Sequence, residues 1–251
     1  MSVADHIAAY SDFSKHVLSE RKHSFQEGYY KTTKLEEAVK KVVKLYGEYS
    51  DGEEDMLDTR EDSEVCKAFV CAVSANNIGR PTLFRTYRVP TSSPMCKIWK
   101  AAHATTAAPT FFKSISVGAP GSEVCYVDAG LGCNNPTRVL LDEAGTLFRG
   151  REIDCIVSIG TGHQGCISLS EPTTVLQSIW SLMIIEVLKR LATDATRVSE
   201  EVGHSFADKP NRYFRFNVHQ RMQAITLEEW QKLSEVRAHT EQYLRETRLL
   251  M

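Results

Sequence analysis

One aspartate in the sequence stands where an acid could do chemistry. Asp128 ends a short predicted strand, residues 123–128, and is followed by two small residues, Ala129 and Gly130. Functional groups in α/β sheets gather where strands end and loops begin. A carboxylate with small neighbours can approach a substrate closely, and as a general base it could accept the proton of a serine nucleophile. The alternative is a plain turn residue, because aspartate before a glycine turn is common.

A second candidate is the glycine-rich stretch that follows another predicted strand. Residues 154–165 read DCIVSIGTGHQG, in which Gly160, Gly162 and Gly165 match the dinucleotide-binding pattern G-x-G-x-x-G. That pattern binds a nucleotide only where the glycines open a helix and an acid follows about twenty residues later, at a strand end. No helical pattern directly follows Gly165, and Glu186 lies inside a predicted helix. We therefore interpret the stretch as a glycine turn that permits positive φ or close backbone packing.

Composition excludes several classes of function. The 251 residues are 42% hydrophobic with a formal net charge of -2, which predicts neither nucleic-acid binding nor attraction to an anionic membrane. Seven scattered cysteines without a C-x-x-C pair predict free thiols in a reducing, cytoplasmic compartment. Neither cysteines nor histidines have metal-ligand spacing, so we expect no metal. The most apolar segment, residues 176–188, is interrupted by polar residues and shorter than a membrane span, which favours a buried helix.

Helices alternate with short apolar strands along the chain, which predicts an α/β fold whose sheet is covered by helices on both faces. The predicted helices are 1–19, 34–46, 96–108, 136–144, 172–202 and 226–248, and the predicted strands are 66–75, 81–87, 123–128, 153–160 and 213–218. Thr33 with Glu36, and Thr226 with Glu229, have capping-box spacing. The acidic run 51–62 is interpreted as a solvated loop, with a cation or partner contact as the alternative.

Three motifs in order carry a resemblance to a known family. They are WKAAHATTAAPTFF (99–112), YVDAGLGCNNP (126–136) and VSIGTG (157–162). In sequence and spacing they resemble the patatin-like phospholipases, and the closing segments resemble the fungal branch. The resemblance implies a lipid acyl hydrolase that uses a Ser-Asp dyad and no cofactor, with Asp128 as the dyad aspartate. It implies a lipid acyl ester as substrate, which a membrane surface can present. We also expect strand 153–160 to share a sheet with the strand of Asp128.

The chain departs from that family at the groups that matter most for catalysis. No serine has glycine at both the -2 and +2 positions of a G-x-S-x-G elbow, and Ser116 has only Gly118. A glycine-rich oxyanion loop is also absent, Ala129 replaces a family glycine, and His103 replaces an expected arginine. We therefore expect one patatin-like domain over residues 1–251, incomplete because the nucleophile and the N-terminal strands are missing.

Whether the chain is itself an enzyme depends on a serine that the sequence lacks. The alternative is an inactive remnant of the same fold that binds a lipid or a partner protein. A nucleotide-dependent enzyme would need the fingerprint that fails above.

Overall fold

Helices and short strands alternate along the chain, which confirms the predicted mixed α/β fold. The structure is a computed structural model, and it describes residues 2–22, 28–59, 66–90, 94–109, 111–162, 195–218, 222, 225–226 and 228–248. They fall into two compact units, Met1–Ala129 and Gly130–Met251. The single domain over residues 1–251 stays a prediction.

The described residues of the first unit form three helices: α1 (Val3–Leu18), α2 (Thr32–Tyr46) and α3 (Ile98–Thr106). α1 begins with a capping box in which Ser2 Oγ accepts the backbone N–H of Asp5 at 3.2 Å, and the Asp5 carboxylate accepts that of Ser2 at 2.8 Å. This reciprocal pairing satisfies two backbone donors that a helix start leaves without a partner.

The predicted capping box at the start of α2 is wrong. The helix begins one residue before Thr33, its N-cap is Lys31, and no side chain caps it. Glu36 instead pairs with Lys40 one turn later at 2.6 Å. A carboxylate near a helix start can satisfy either a backbone donor or a lysine at i+4, and the lysine is the partner here.

A four-stranded antiparallel sheet lies at the centre of the first unit. Its strands are β1 (Phe69–Ser74), β2 (Asn77–Arg85), β3 (Ile115–Val117) and β4 (Val124–Asp128), in the order β2-β1-β4-β3. Neighbouring residues in β1 point to opposite faces, yet Ala72 and Val73 are 0% and 2% exposed. Both faces of the sheet centre are therefore buried, as the continuous apolar strand pattern predicts.

Helix α3 packs on the face of the sheet that carries Ala72 and Phe84. Its contact residues are Ala101 and Ala104, which are too small to hold the helix away from the strands. The rings of Phe84 and Tyr126 meet edge to face on this surface, with centroids 5.1 Å apart. This geometry is favourable for an aromatic pair beyond the area that it buries.

The described part of the acidic run is bound to the first unit by ion pairs. Glu53 pairs with Lys40 at 2.6 Å and accepts a hydrogen bond from the indole N–H of Trp99 at 2.9 Å. Asp55 pairs with Lys97 at 3.0 Å. Both acids lie in a loop and keep 41% and 66% of their side chains exposed, so they are solvated, as predicted, although lysines distant in sequence lie beside them.

Four helices lie in the described part of the second unit: α4 (Gly130–Cys133), α5 (Thr137–Leu147), α6 (Thr196–Ser205) and α7 (Leu233–Arg248), the last preceded by a 3₁₀ turn at Trp230–Lys232. The predicted end of a helix at Gly203 is wrong, since α6 continues to Ser205. Most of the helix predicted over 172–202 lies outside the described residues. Near α7, the Glu229 carboxylate accepts the Thr226 N–H at 2.8 Å, as a capping box requires, but the α-helix starts only at Leu233.

Two parallel strands, β5 (Ile156–Ile159) and β6 (Tyr213–Phe216), form a separate sheet in the second unit. The expectation that β5 shares a sheet with the strand of Asp128 is therefore wrong. Among the described strands, β4 pairs with β1 and β3, and β5 pairs with β6. Along the described part of the chain, no helix has the length and apolar character to cross a membrane. Segment 176–188 lies outside that part.

Truncation of Phe84 should measure how much the α3–sheet contact contributes to the free energy of unfolding. Phe84 is fully buried, so F84A removes its apolar area and leaves a cavity, which should lower the free energy of unfolding by about 3–5 kcal/mol. The matched control is F148A, because Phe148 is 39% exposed and should cost far less. Urea unfolding measures both variants, and equal losses would contradict this account of the core.

Candidate active site

Asp128 is held by its backbone at the last position of β4. Its N–H donates to the carbonyl of Ala107, just after α3, at 3.1 Å, and it lies opposite Ala72 in the register of β1 and β4. The residue is half-buried. A main chain that is bonded to a helix end and paired in a sheet has little freedom. The backbone of Asp128, from which its carboxylate extends, is therefore fixed in position.

The register of the sheet decides which serines share a face with Asp128. Ser116 pairs with Cys125, an odd number of residues from Asp128, so it points to the opposite face. Ser74 pairs with Tyr126 and lies on the same face. The two positions are diagonal neighbours, whose Cα atoms lie about 7–8 Å apart. Ser74 Oγ accepts the N–H of Asn76 within a turn.

The turn after Asp128 accommodates Ala129 without backbone strain. Among the described residues other than glycine, only Asn211 has a positive φ, so Ala129 is in an ordinary conformation. Its side chain is packed, with 2% of the residue exposed. Gly130 begins α4, and the position that needs glycine is Gly132, with φ of +99°. The replacement of glycine by alanine at 129 is therefore compatible with the fold.

His103 is a buried neutral histidine on α3. Its Nε2 lies 3.0 Å from the carbonyl oxygen of Lys113, and because a carbonyl only accepts, this nitrogen carries the proton. Burial lowers the pKa of the imidazole below its ordinary value, against the opposing effect of the Lys113 hydrogen bond. The side chain thus connects α3 to the segment before β3, and we assign it a structural role.

The glycine turn after β5 has the two properties that its sequence predicts. Gly162 has φ of +122°, and its N–H donates to Asn217 Oδ1 at 3.0 Å. Gly160 continues the β5–β6 ladder by donating to the carbonyl of Phe216 at 2.8 Å. A Cβ at residue 160 would collide with the side chains of Asn217 and Arg215. Positive φ and close packing therefore explain both glycines without a nucleotide.

A chain of buried hydrogen bonds in the second unit escaped sequence reasoning. Asn135, Thr137 and Ser158 are each nearly inaccessible to solvent. Thr137 Oγ1 donates to Asn135 Oδ1 at 2.6 Å and lies 2.9 Å from Ser158 Oγ. Arg215 Nη1 donates to Ser158 Oγ at 2.9 Å. The segments NNPT (134–137) and SIGTG (158–162) contain these polar residues. No local sequence pattern indicates that their side chains form hydrogen bonds with each other.

The direction of these bonds follows from the groups at the two ends. Arginine only donates, and the side-chain carbonyl of Asn135 only accepts. The proton of Thr137 therefore goes to Asn135, and the proton of Ser158 goes to Thr137. Because Ser158 has no second proton, its hydroxyl is committed to the fold and is a poor candidate for a nucleophile.

Comparison with known proteins identifies relatives over part of the chain. It is 33% identical over 135 residues to Patatin-like phospholipase 1 of Plasmodium falciparum, covering 48% of this chain and 20% of that protein. It is 27% identical over 207 residues to Phospholipase A I of Arabidopsis thaliana, covering 67% and 15% respectively. It is 34% identical over 125 residues to human Calcium-independent phospholipase A2-gamma, covering 48% and 14%.

These similarities support a relationship to the patatin-like phospholipases. The matched regions span a fifth or less of the length of these relatives. No protein-family model matches the chain.

Acid should destabilise the chain through His103. Its pKa in the folded state lies below the ordinary value of 6.5, so the unfolded chain binds the proton more readily. The contribution of His103 to stability is therefore complete above about pH 6.5 and is lost as the pH falls from there through the folded-state pKa. H103Q keeps an N–H for Lys113 and does not titrate, so it should lose less stability than wild type between about pH 7.5 and pH 5.

Urea unfolding at several pH values measures this difference. H204Q is the control for replacing a histidine by glutamine, because His204 is exposed and lies on a different helix, α6. The same acid-induced loss in H103Q and wild type would show that His103 is not the group responsible.

Proposed function

We propose that this chain is the part of a patatin-like lipid acyl hydrolase that carries the general base, Asp128. The observation on which the proposal rests is the placement of Asp128 at the end of β4, half-buried and held through its backbone by Ala107. Small residues follow it, and Ala129 fits without strain. The similarity to phospholipases supplies the class of substrate, an acyl ester of a lipid.

In the proposed reaction the Asp128 carboxylate accepts the proton of a serine hydroxyl as the oxygen attacks the acyl carbonyl. The ester bond breaks, the lipid alcohol leaves with a proton, and the acyl group stays on the serine. Water then attacks the acyl-enzyme, with the same carboxylate accepting its proton, and the fatty acid is released. The chemistry uses one carboxylate and one hydroxyl and requires no metal.

The serine of this dyad is proposed to lie in polypeptide outside the 251 residues. The sequence contains no G-x-S-x-G and no glycine-rich oxyanion loop. Two serines that could be considered are unsuitable, since Ser116 points to the other face of the sheet and Ser158 is committed to Thr137 and Arg215. A fungal type of the family and a cytoplasmic location, suggested by the closing segments and the cysteines, belong to the same proposal.

The 251-residue chain alone should show no esterase turnover. Without a nucleophile no acyl-enzyme forms, and loss of one dyad member lowers the rate by about 10⁴-fold or more. The measurement is hydrolysis of p-nitrophenyl acyl esters by the purified chain, with D128N as the matched variant and identical rates expected. Turnover by the wild-type chain that D128N abolishes would contradict the absence of the serine from this sequence.

The coding sequence upstream of Met1 tests the origin of the serine directly. We expect an open frame with a glycine-rich run and a G-x-S-x-G within about a hundred codons. In the protein expressed from that frame, D128N should remove hydrolysis while the fold persists. An in-frame stop without such a motif would overturn the proposed hydrolase, and the non-catalytic lipid- or partner-binding protein would replace it.

A further inference from the structure

One face of the β5–β6 sheet changes from apolar to polar along its length. In parallel strands, paired residues lie side by side, and every second residue lies on the same face. Ile156 pairs with Tyr213 at the start of this face, and Ser158 pairs with Arg215 at its middle. Gly160 and Asn217 continue the same alternation beyond the last paired residues. The polar part therefore lies at the carboxyl ends of both strands, where parallel sheets commonly bind ligands.

Arg215 lies in this polar part without an acid to neutralise it. The residue is half-buried, and Nη1 donates to the buried hydroxyl of Ser158. Three residues earlier, Arg212 is paired with Glu152 at 3.0 Å, whereas no described acid forms an ion pair with Arg215. Removing a guanidinium from water costs free energy that a counter-ion usually offsets. The remaining N–H donors of Arg215 are therefore suited to an anion.

Asn217 adds neutral donors beside this charge. Its Oδ1 accepts the N–H of Gly162, which defines the orientation of the amide and leaves Nδ2 as the free end. Arg215 Nη2 and the amide oxygen Oδ1 of Asn217 both lie against Gly160, and a Cβ at residue 160 would collide with each of them. The glycine keeps open the space in which the two side chains converge.

We propose that Arg215 and Asn217, arranged around Gly160, form a binding site for a phosphate group. A phosphate has acceptor oxygens on all sides and can accept from the guanidinium and the amide together, with charge-assisted bonds to the arginine. Either free phosphate or the phosphate of a glycerolipid headgroup supplies this chemistry. The site uses neither Asp128 nor the nucleophilic serine of the proposed dyad. Its test is therefore independent of the proposed hydrolysis.

Calorimetric titration of the full chain with inorganic phosphate tests the site. Wild type should bind, and R215Q and N217D should each weaken binding by about tenfold or more. In N217D the aspartate still accepts the Gly162 N–H, but the Nδ2 donors are lost and the new carboxylate competes with phosphate for Arg215. R212Q is the matched control, since it removes an arginine from the same strand segment, and its affinity should equal that of wild type.

Further arms of the experiment separate the sources of the ligand and guard against misfolding. Tighter binding of glycerol 3-phosphate than of phosphate would assign the site to a lipid headgroup, and equal or weaker binding would assign it to free phosphate. If thermal melting shows that R215Q is unfolded, R215K takes its place, because it keeps the charge but loses the planar fork. Absence of binding to wild type, unchanged binding in folded Arg215 and Asn217 variants, an equal loss in R212Q, or equal affinity for acetate would each overturn the proposal.

Discussion

The close contact of α3 with the antiparallel sheet is the constraint on which the first unit depends. Ala101 and Ala104 form the contact surface of the helix, and their small size lets its backbone approach the strands. Phe84 and Tyr126 fill the remaining volume from the side of the sheet. Dense packing of this kind leaves little room for the helix to move, so everything attached to α3 takes a defined position.

Three polar contacts of α3 transmit that position to the rest of the unit. Trp99 near its start holds Glu53 of the acidic run, and His103 in its middle holds the carbonyl of Lys113 before β3. Ala107, just after its end, accepts the N–H of Asp128. The candidate general base is therefore placed by a helix that contributes no catalytic group. A defect in the alanine surface of α3 would move the aspartate as well as weaken the core.

In the second unit, polar rather than apolar contacts organise the ends of the strands. The hydrogen bonds from Arg215 through Ser158 and Thr137 to Asn135 connect β6, β5 and the start of α5. Buried polar groups are costly unless each finds a partner, and here donors and acceptors alternate without a gap. The hydroxyl protons of this network have only one orientation that satisfies every group. The network therefore specifies one arrangement of β6, β5 and the start of α5.

Local patterns in the sequence were sufficient for the parts of the fold that depend on neighbours along the chain. Apolar periodicity predicted α1, α2, α3, α5 and α7, and apolar runs predicted β1, β4, β5 and β6, with errors of a few residues at most ends and a later start for α7. The apolar run over 123–128 likewise predicted that Asp128 lies at the end of a strand. The capping box at Thr33 was wrong because a lysine one turn away competes for Glu36, which spacing alone does not resolve.

Local sequence is enough to specify the mixed α/β class, the place of Asp128 at the end of a strand, and a glycine turn after β5, in which Gly162 has a positive φ. Each follows from propensities and backbone sterics within a few residues. Long-range contacts pair β5 with β6 in a sheet separate from that of Asp128, and the register of β3 and β4 turns Ser116 away from that aspartate. Strand pairing and burial depend on contacts between residues far apart in the chain, such as Ser158 with Arg215, and no local pattern encodes them.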